Sequence, residues 1–233
     1  KRIYEAISCY LPFGGVFLII VLAVGSLGGH HLYHWMQHGI TDPASEHYDK
    51  IIAGKSGYLN NSFFWIRTLA YLGIWYMFQR TFRKRSLEED ISGGEAIHWK
   101  NVKTAAIFLI LYGVTSSSSA WDWLMSIDAH WFSTMFGWYV FSGTWVSAII
   151  TIIMFTLYLK SKGYLEQVNE NHLHDLGKWM FAISFLWTYL WFCQFMLIWY
   201  SNIPEEVTYF KQRFADYQPI MWTTFFVNFA VPM

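Results

Sequence analysis

The chain has 233 residues with 16 basic and 16 acidic side chains, a net charge of zero, and is 55% hydrophobic, 21% aromatic and only 14% charged. Soluble domains carry roughly 25% charged residues, so this chain has too little polar surface to cover a water-soluble globule of its size. The expected class is a polytopic all-α membrane protein, and no nucleic-acid partner is expected.

The first uncharged run, residues 9–29, is long enough to cross the roughly 30 Å hydrocarbon core, which needs about 20 apolar residues. It is too long for the apolar core of a cleaved signal peptide, and Gly25, Ser26, Gly28 and Gly29 lead directly into a histidine-rich loop. Gly25 and Gly29 form a GxxxG pair suited to close helix packing. In the following HHLYHWMQH (30–38), His30, His34 and His38 recur every fourth residue, a spacing that on a helix would align three imidazoles for a metal. The plainer reading is an interfacial amphipathic helix with Tyr33 and Trp35 at the headgroups, and with Asp42, Glu46 and Asp49 as loop acids. Residues 60–79 form a second candidate span, interrupted only by Arg67, and RKRSLEED (83–90) reads as a solvated turn. Further uncharged runs cover 104–121, 131–159 and 179–203, with Gly143, Ser147 and Thr151 spaced to line one packing face of the fourth. The last run, 219–233, stops after fifteen residues, so the chain is expected to be one integral membrane domain of about six spans and part of a longer protein.

Basic residues are distributed unevenly between the predicted loops. Eleven (Lys1, Arg2, Arg80, Arg83, Lys84, Arg85, Lys100, Lys103, Lys160, Lys162, Lys178) fall on one side and four (Lys50, Lys55, Lys211, Arg213) on the other. The positive-inside bias makes the first side cytoplasmic. SSSSAWDWLMSIDAHWF (116–132) then lies at the outer face.

None of the nine histidines falls in the middle of a predicted span, so an axial ligand for a membrane haem is not provided. Cys9 and Cys193 are far apart, and neither a CxxCH motif nor a group of four thiols is present. The chain is therefore expected to hold no redox cofactor and no metal of its own. Arg67, the one charge clearly inside a span, lies roughly 10 Å deep at 1.5 Å per residue and is expected to pair with Asp122 at the outer end of the next span. That pair reads either as a structural clamp or as a polar lining for a quinone headgroup or a proton exit. Gln194, uncharged but in need of hydrogen bonds, should face the bundle. In HDLGK (174–178), Asp175 and Lys178 read as an i,i+3 ion pair at a capped helix start, or as a proton inlet.

AWDWLMSIDAHWFSTMFGWYVFSG (120–143), HDLGKWMF (174–181) and CQFMLIWYSNIPEEV (193–207) closely resemble the ActF-type membrane subunits of bacterial alternative complex III, within the NrfD/PsrC-like family. The resemblance implies four-helix-bundle architecture, a full subunit of about ten spans of which this chain holds about six, and a place in a quinol:cytochrome c oxidoreductase of the bacterial inner membrane. It also implies a quinol or menaquinol substrate for the complex, with haem c and iron–sulfur clusters in partner subunits. The implied partners are a sister NrfD-like subunit, a periplasmic iron–sulfur subunit, multihaem cytochrome c subunits and, as a further candidate, a terminal oxidase. Carried onto this chain, the outer motif contributes Asp122, Asp128, His130, Glu205 and Glu206, and the inner motif His174, Asp175 and Lys178. Ala129 departs from the pattern, which leads one to expect a proline before the His-Trp pair. The implied role is scaffolding, with a quinone-proximal region or a proton half-channel near the periplasmic face. A stand-alone secondary transporter or proton channel, and a purely structural anchor, are the alternatives. No proline falls in the middle of a complete span, which counts against the broken helices of a transporter.

Overall fold

The computed structural model describes residues 2–29, 31–93 and 95–232, and among them all regular structure is helical. The chain divides into two compact units, Lys1–His130 and Trp131–Met233.

The first unit begins with α1 (Arg2–Ser8) and α2 (Leu11–Ser26), where Pro12 sits in the first turn and sacrifices no helical hydrogen bond. Gly28, at φ +80°, turns the chain out of α2 in a conformation that a side chain would resist. Because α2 ends at Ser26, Gly29 lies beyond it, and the expected GxxxG stripe is not a continuous helical face. The expected amphipathic helix over 30–38 is also absent among the described residues. The segment holds only a 3₁₀ turn, His34–Met36, so His34 and His38 do not share a helical face, and His30 lies outside the described residues. Tyr33 and Trp35 are buried rather than at a headgroup surface. They pack with Leu22, Ile40, Ile52 and Phe64 into one apolar cluster. The Tyr33, Trp35 and Phe64 rings lie against one another, with Trp35 and Phe64 edge to face at 5.5 Å and Tyr33 tilted against both, an arrangement that adds to the area they bury.

A short α3 (Lys50–Gly54) precedes α4 (Asn61–Ser92) and α5 (Ala96–Trp123). The Asn60 side chain caps α4 by accepting the Phe63 N–H at 2.8 Å. Gly93 ends it at φ +62°. With 32 residues, α4 is about 48 Å long, more than a bilayer core requires. It pairs with α5 through buried rings and hydroxyls, including Trp75 Nε1 to Thr115 Oγ1 at 2.9 Å and Trp123 Nε1 to Thr68 Oγ1 at 3.1 Å.

In the second unit α6 (Met135–Ser161) packs along α7 (Glu170–Ser201), and α8 (Pro204–Asp216) and α9 (Gln218–Phe225) follow. The packing stripe of α6 is Ser142, Val146, Ile149, Ile152 and Thr156, rotated from the expected Gly143, Ser147 and Thr151. Branched apolar chains fill the seam with Ile183 and Met180, while Ser147 and Thr151 bond back to carbonyls of their own helix at 2.9 and 2.7 Å. Gly143 still makes a close approach, since a Cβ there would lie 3.3 Å from Trp187 Nε1. An Asn169–His172 capping box starts α7 nine residues before the predicted span. Asn202, at φ 47°, stops it one residue before Ile203 and the Pro204 that opens α8.

Among the described residues four helical stretches are long and apolar enough to cross a membrane: Arg2–Ser26, Ala96–Ile127, Met135–Ser161 and Glu170–Ser201. Two of the six expected spans fall outside these four. Residues 60–79 lie in α4, long enough but with Arg67 inside it, and 219–233 contains only α9 and a π turn, Phe226–Ala230, about 20 Å in all. The polarity of the helices is inverted relative to a water-soluble protein. Phe13, Phe17, Ile110 and Met154 are exposed, whereas Thr68, Asp122, Ser142 and Gln194 are buried. Such a surface suits lipid.

Candidate functional site

The most heavily built polar site of the first unit joins α4 to α5. The Asn60 cap sets the start of α4 so that Arg67 falls on the second turn, and Asp122 is the penultimate residue of α5. Arg67 Nε and Nη2 donate to the two Asp122 carboxylate oxygens, each at 2.8 Å, the planar fork-to-fork geometry that only arginine offers. Tyr71 Oη donates to the same carboxylate at 3.0 Å, and Arg67 Nη1 donates to the Tyr58 carbonyl at 3.2 Å. The guanidinium carbon lies 3.9 Å from the Tyr58 ring centre and 4.1 Å from that of Phe63. Asp122 is fully buried and Arg67 nearly so. Taking both charges out of water is costly, and only such saturation of donors and acceptors offsets it. Tyr71 is four residues after Arg67, so the i,i+4 rule could have found it from sequence.

The segments that follow α2 and α5 supply a second cluster. Asp49 caps α3 by accepting the N–H groups of Ile51 and Ile52 at 2.8 and 3.2 Å, and stands 2.6 Å from His130 Nε2. It is therefore a helix cap and a histidine partner, not simply the loop acid expected from the sequence. Burial pushes its carboxyl up, but the Ile52 amide, the His130 ring and the Ile51 amide outweigh this and hold it below the usual range. Lys55 Nζ donates to the Ala129 carbonyl at 2.6 Å. Burial lowers the Lys55 ammonium pKa, against the opposing charges of Asp128 and Asp49. Asp128 is exposed and accepts the His130 backbone N–H at 3.3 Å. Beneath this cluster Tyr33 Oη donates to the Trp123 carbonyl at 2.9 Å, and burial, then the Asp122 charge, push its hydroxyl up to about 12.

The other expected site residues lie in the second unit. Glu205 and Glu206 occupy the first turn of α8, where acids complement the helix dipole. The Glu206 carbonyl accepts Trp131 Nε1 at 3.3 Å. Gln194 is buried on α7, and its Nε2 has no partner among the described residues. His174 is exposed on the second turn of α7, and Asp175 and Lys178 form an exposed i,i+3 pair at 3.4 Å. Among the described residues no three His, Cys, Asp or Glu side chains gather as metal ligands.

Each unit also contains a cavity. That of the first measures about 660 Å³ and is lined by Glu5, Gln79, Arg83, His98, Asn101 and mainly aromatic walls, with neither Arg67 nor Asp122 on its surface. That of the second measures about 380 Å³ and is bounded by residues of α6 to α9, among them Arg213. From the sequence Arg213 is expected only to be a loop cation, with no signal that it borders a cavity.

Fold and site together define a protein whose regular structure among the described residues is helical, with four helical stretches among them long and apolar enough to span a membrane and with the Arg67–Asp122 charge pair sealed between two helices. Compared with known proteins, the chain matches no family model, and no curated protein is significantly similar to it.

Proposed function

We propose that the chain is a multi-pass membrane subunit of a respiratory quinol:cytochrome c oxidoreductase of the alternative complex III type. In this reading it sits in the bacterial inner membrane as a scaffold of NrfD-like bundle form, with six spans when α4 and the terminal run are counted. The complex oxidises quinol or menaquinol, while haem c and iron–sulfur clusters reside in its partner subunits. The observation that carries the reading is the ordered likeness of residues 120–143, 174–181 and 193–207 to those subunits.

The geometry favours scaffolding over a quinol site at Arg67 and Asp122. Each of the three Arg67 guanidinium nitrogens already donates to an acceptor, and the carboxylate accepts three hydrogen bonds, which leaves little for a ligand to satisfy. Proton handling belongs instead to the partly exposed Asp49–His130 pair at the outer end of the first unit, within hydrogen-bond distance and open to solvent.

Purification from native membranes tests the proposal. The chain should bring down subunits with haem c absorption and lose all visible colour when separated from them. A haem or cluster spectrum retained by the separated chain, or its isolation from native membranes without any coloured partner, contradicts it. Within the assembled complex Asp122→Asn should leave quinol oxidation per complex nearly unchanged while lowering the yield of complex.

A further inference from the structure

We propose that the cavity of the second unit binds the phosphate of an anionic membrane lipid through Arg213. This stands apart from the respiratory reading and holds or fails independently of it. The Arg213 guanidinium carbon lies 3.4 Å from the centre of the Tyr209 ring, and Nη1 donates to the Tyr209 carbonyl at 2.9 Å. Tyr209 is itself fixed by stacking on Trp131, with ring centres 4.2 Å apart and planes 14° from parallel. The cation is thus held rigidly at the edge of the roughly 380 Å³ cavity, beside Tyr139, Trp187, Trp191, Gln212 and Thr224. Among the described residues no carboxylate comes within ion-pairing distance of it, although Asp216 is only three positions on along α8.

Three features point to a lipid phosphate. A guanidinium is always charged and presents a planar set of donors that matches phosphate oxygens two at a time, and only one of its N–H groups is spent on protein. A half-buried cation facing a cavity without an acid is costly unless an anion enters. Burial in this corner, partly countered by Arg213, raises the Tyr209 hydroxyl, so Tyr209 stays neutral and does not supply that anion. The third feature is position. The spanning helix α7 ends at Ser201 and α8 starts at Pro204, and tryptophan and tyrosine line the cavity, as they do at headgroup depth. The volume lies at the lower end of ligand pockets, about 300–1,000 Å³, enough for a headgroup while acyl chains lie along the exposed apolar helix faces.

The test uses the full chain, stripped of lipid in an uncharged detergent. Native mass spectrometry follows binding of phosphatidylglycerol, phosphatidylcholine and inorganic phosphate at equal concentrations. Phosphatidylglycerol should bind the wild type in preference to the other two. Its affinity should fall about tenfold or more in Arg213→Gln, the loss expected for a charge-assisted contact, and hold in Lys211→Gln, an exposed cation on the same helix. Equal affinity of wild type and Arg213→Gln overturns the site. An equal loss in Lys211→Gln shows diffuse charge attraction and also overturns it. Inorganic phosphate bound as tightly as the lipid rejects the lipid as the source. If Arg213→Gln does not fold by circular dichroism, Thr224→Trp fills the cavity and leaves the cation in place; loss of lipid then supports the site, and retention refutes it.

Discussion

Asp122 shows how a single carboxylate is made tolerable at membrane depth. It accepts from Arg67 twice and from Tyr71 once, and has no exposed surface. Asp122→Ala strands the arginine and should cost about 3–5 kcal/mol, whereas replacing both partners by apolar residues, Arg67→Met with Asp122→Leu, should cost far less. Unfolding in mixed micelles measures the difference, and an additive double variant would show that the two residues are not coupled. Tyr33 yields a pH prediction. Its hydroxyl titrates at 10.0 when unfolded and at about 12 when folded, because burial, and next the Asp122 charge, disfavour the phenolate. Its contribution is therefore complete below pH 10 and disappears as the pH rises through 12, a loss of about 3 kcal/mol. Tyr33→Phe should melt lower than wild type at pH 8, having lost the bond to the Trp123 carbonyl, with the gap narrowing by pH 11.

At the scale of elements, capping and close approach decide the helix pairs. Asn60 fixes where α4 begins, and with it the depth of Arg67, so Asn60→Ala should cost about 1 kcal/mol and weaken the α4–α5 pair. In the second unit Gly143 faces Trp187. A leucine there must displace the indole and should destabilise the α6–α7 pair by about 1–3 kcal/mol, read from the melting temperature. Leucine at Ser147, which is exposed, should be nearly neutral. The sequence marks Gly143, Ser147 and Thr151 equally, because spacing alone shows that small residues share a face and not which face meets a neighbour. The partner helix resolves this, since branched side chains at Val146 and Ile149 bury more apolar area than hydroxyls that bond their own backbone.

For the whole molecule, the distribution of cations predicts an orientation that can be tested. With Cys9 and Cys193 replaced by serine, a single cysteine at Asp42 should react with an impermeant maleimide in intact cells, and one at Ser92 only after lysis. Labelling in the reverse order would invert the assignment of the two sides. The polypeptide's class was legible because transfer of apolar surface depends on composition and on run length, both local properties. Its four uncharged runs 9–29, 104–121, 131–159 and 179–203 all lie within or across helical stretches able to cross a membrane. Arg67 and Asp122 could be matched because each has a depth that can be counted in residues from the nearest loop. The Asp49–His130 pair, the burial of Tyr33 and Trp35, and the seat of Arg213 on Tyr209 could not be read in the same way. Each joins residues through loop paths or helix rotations that no periodicity encodes, and only the packed tertiary structure selects which side chains meet.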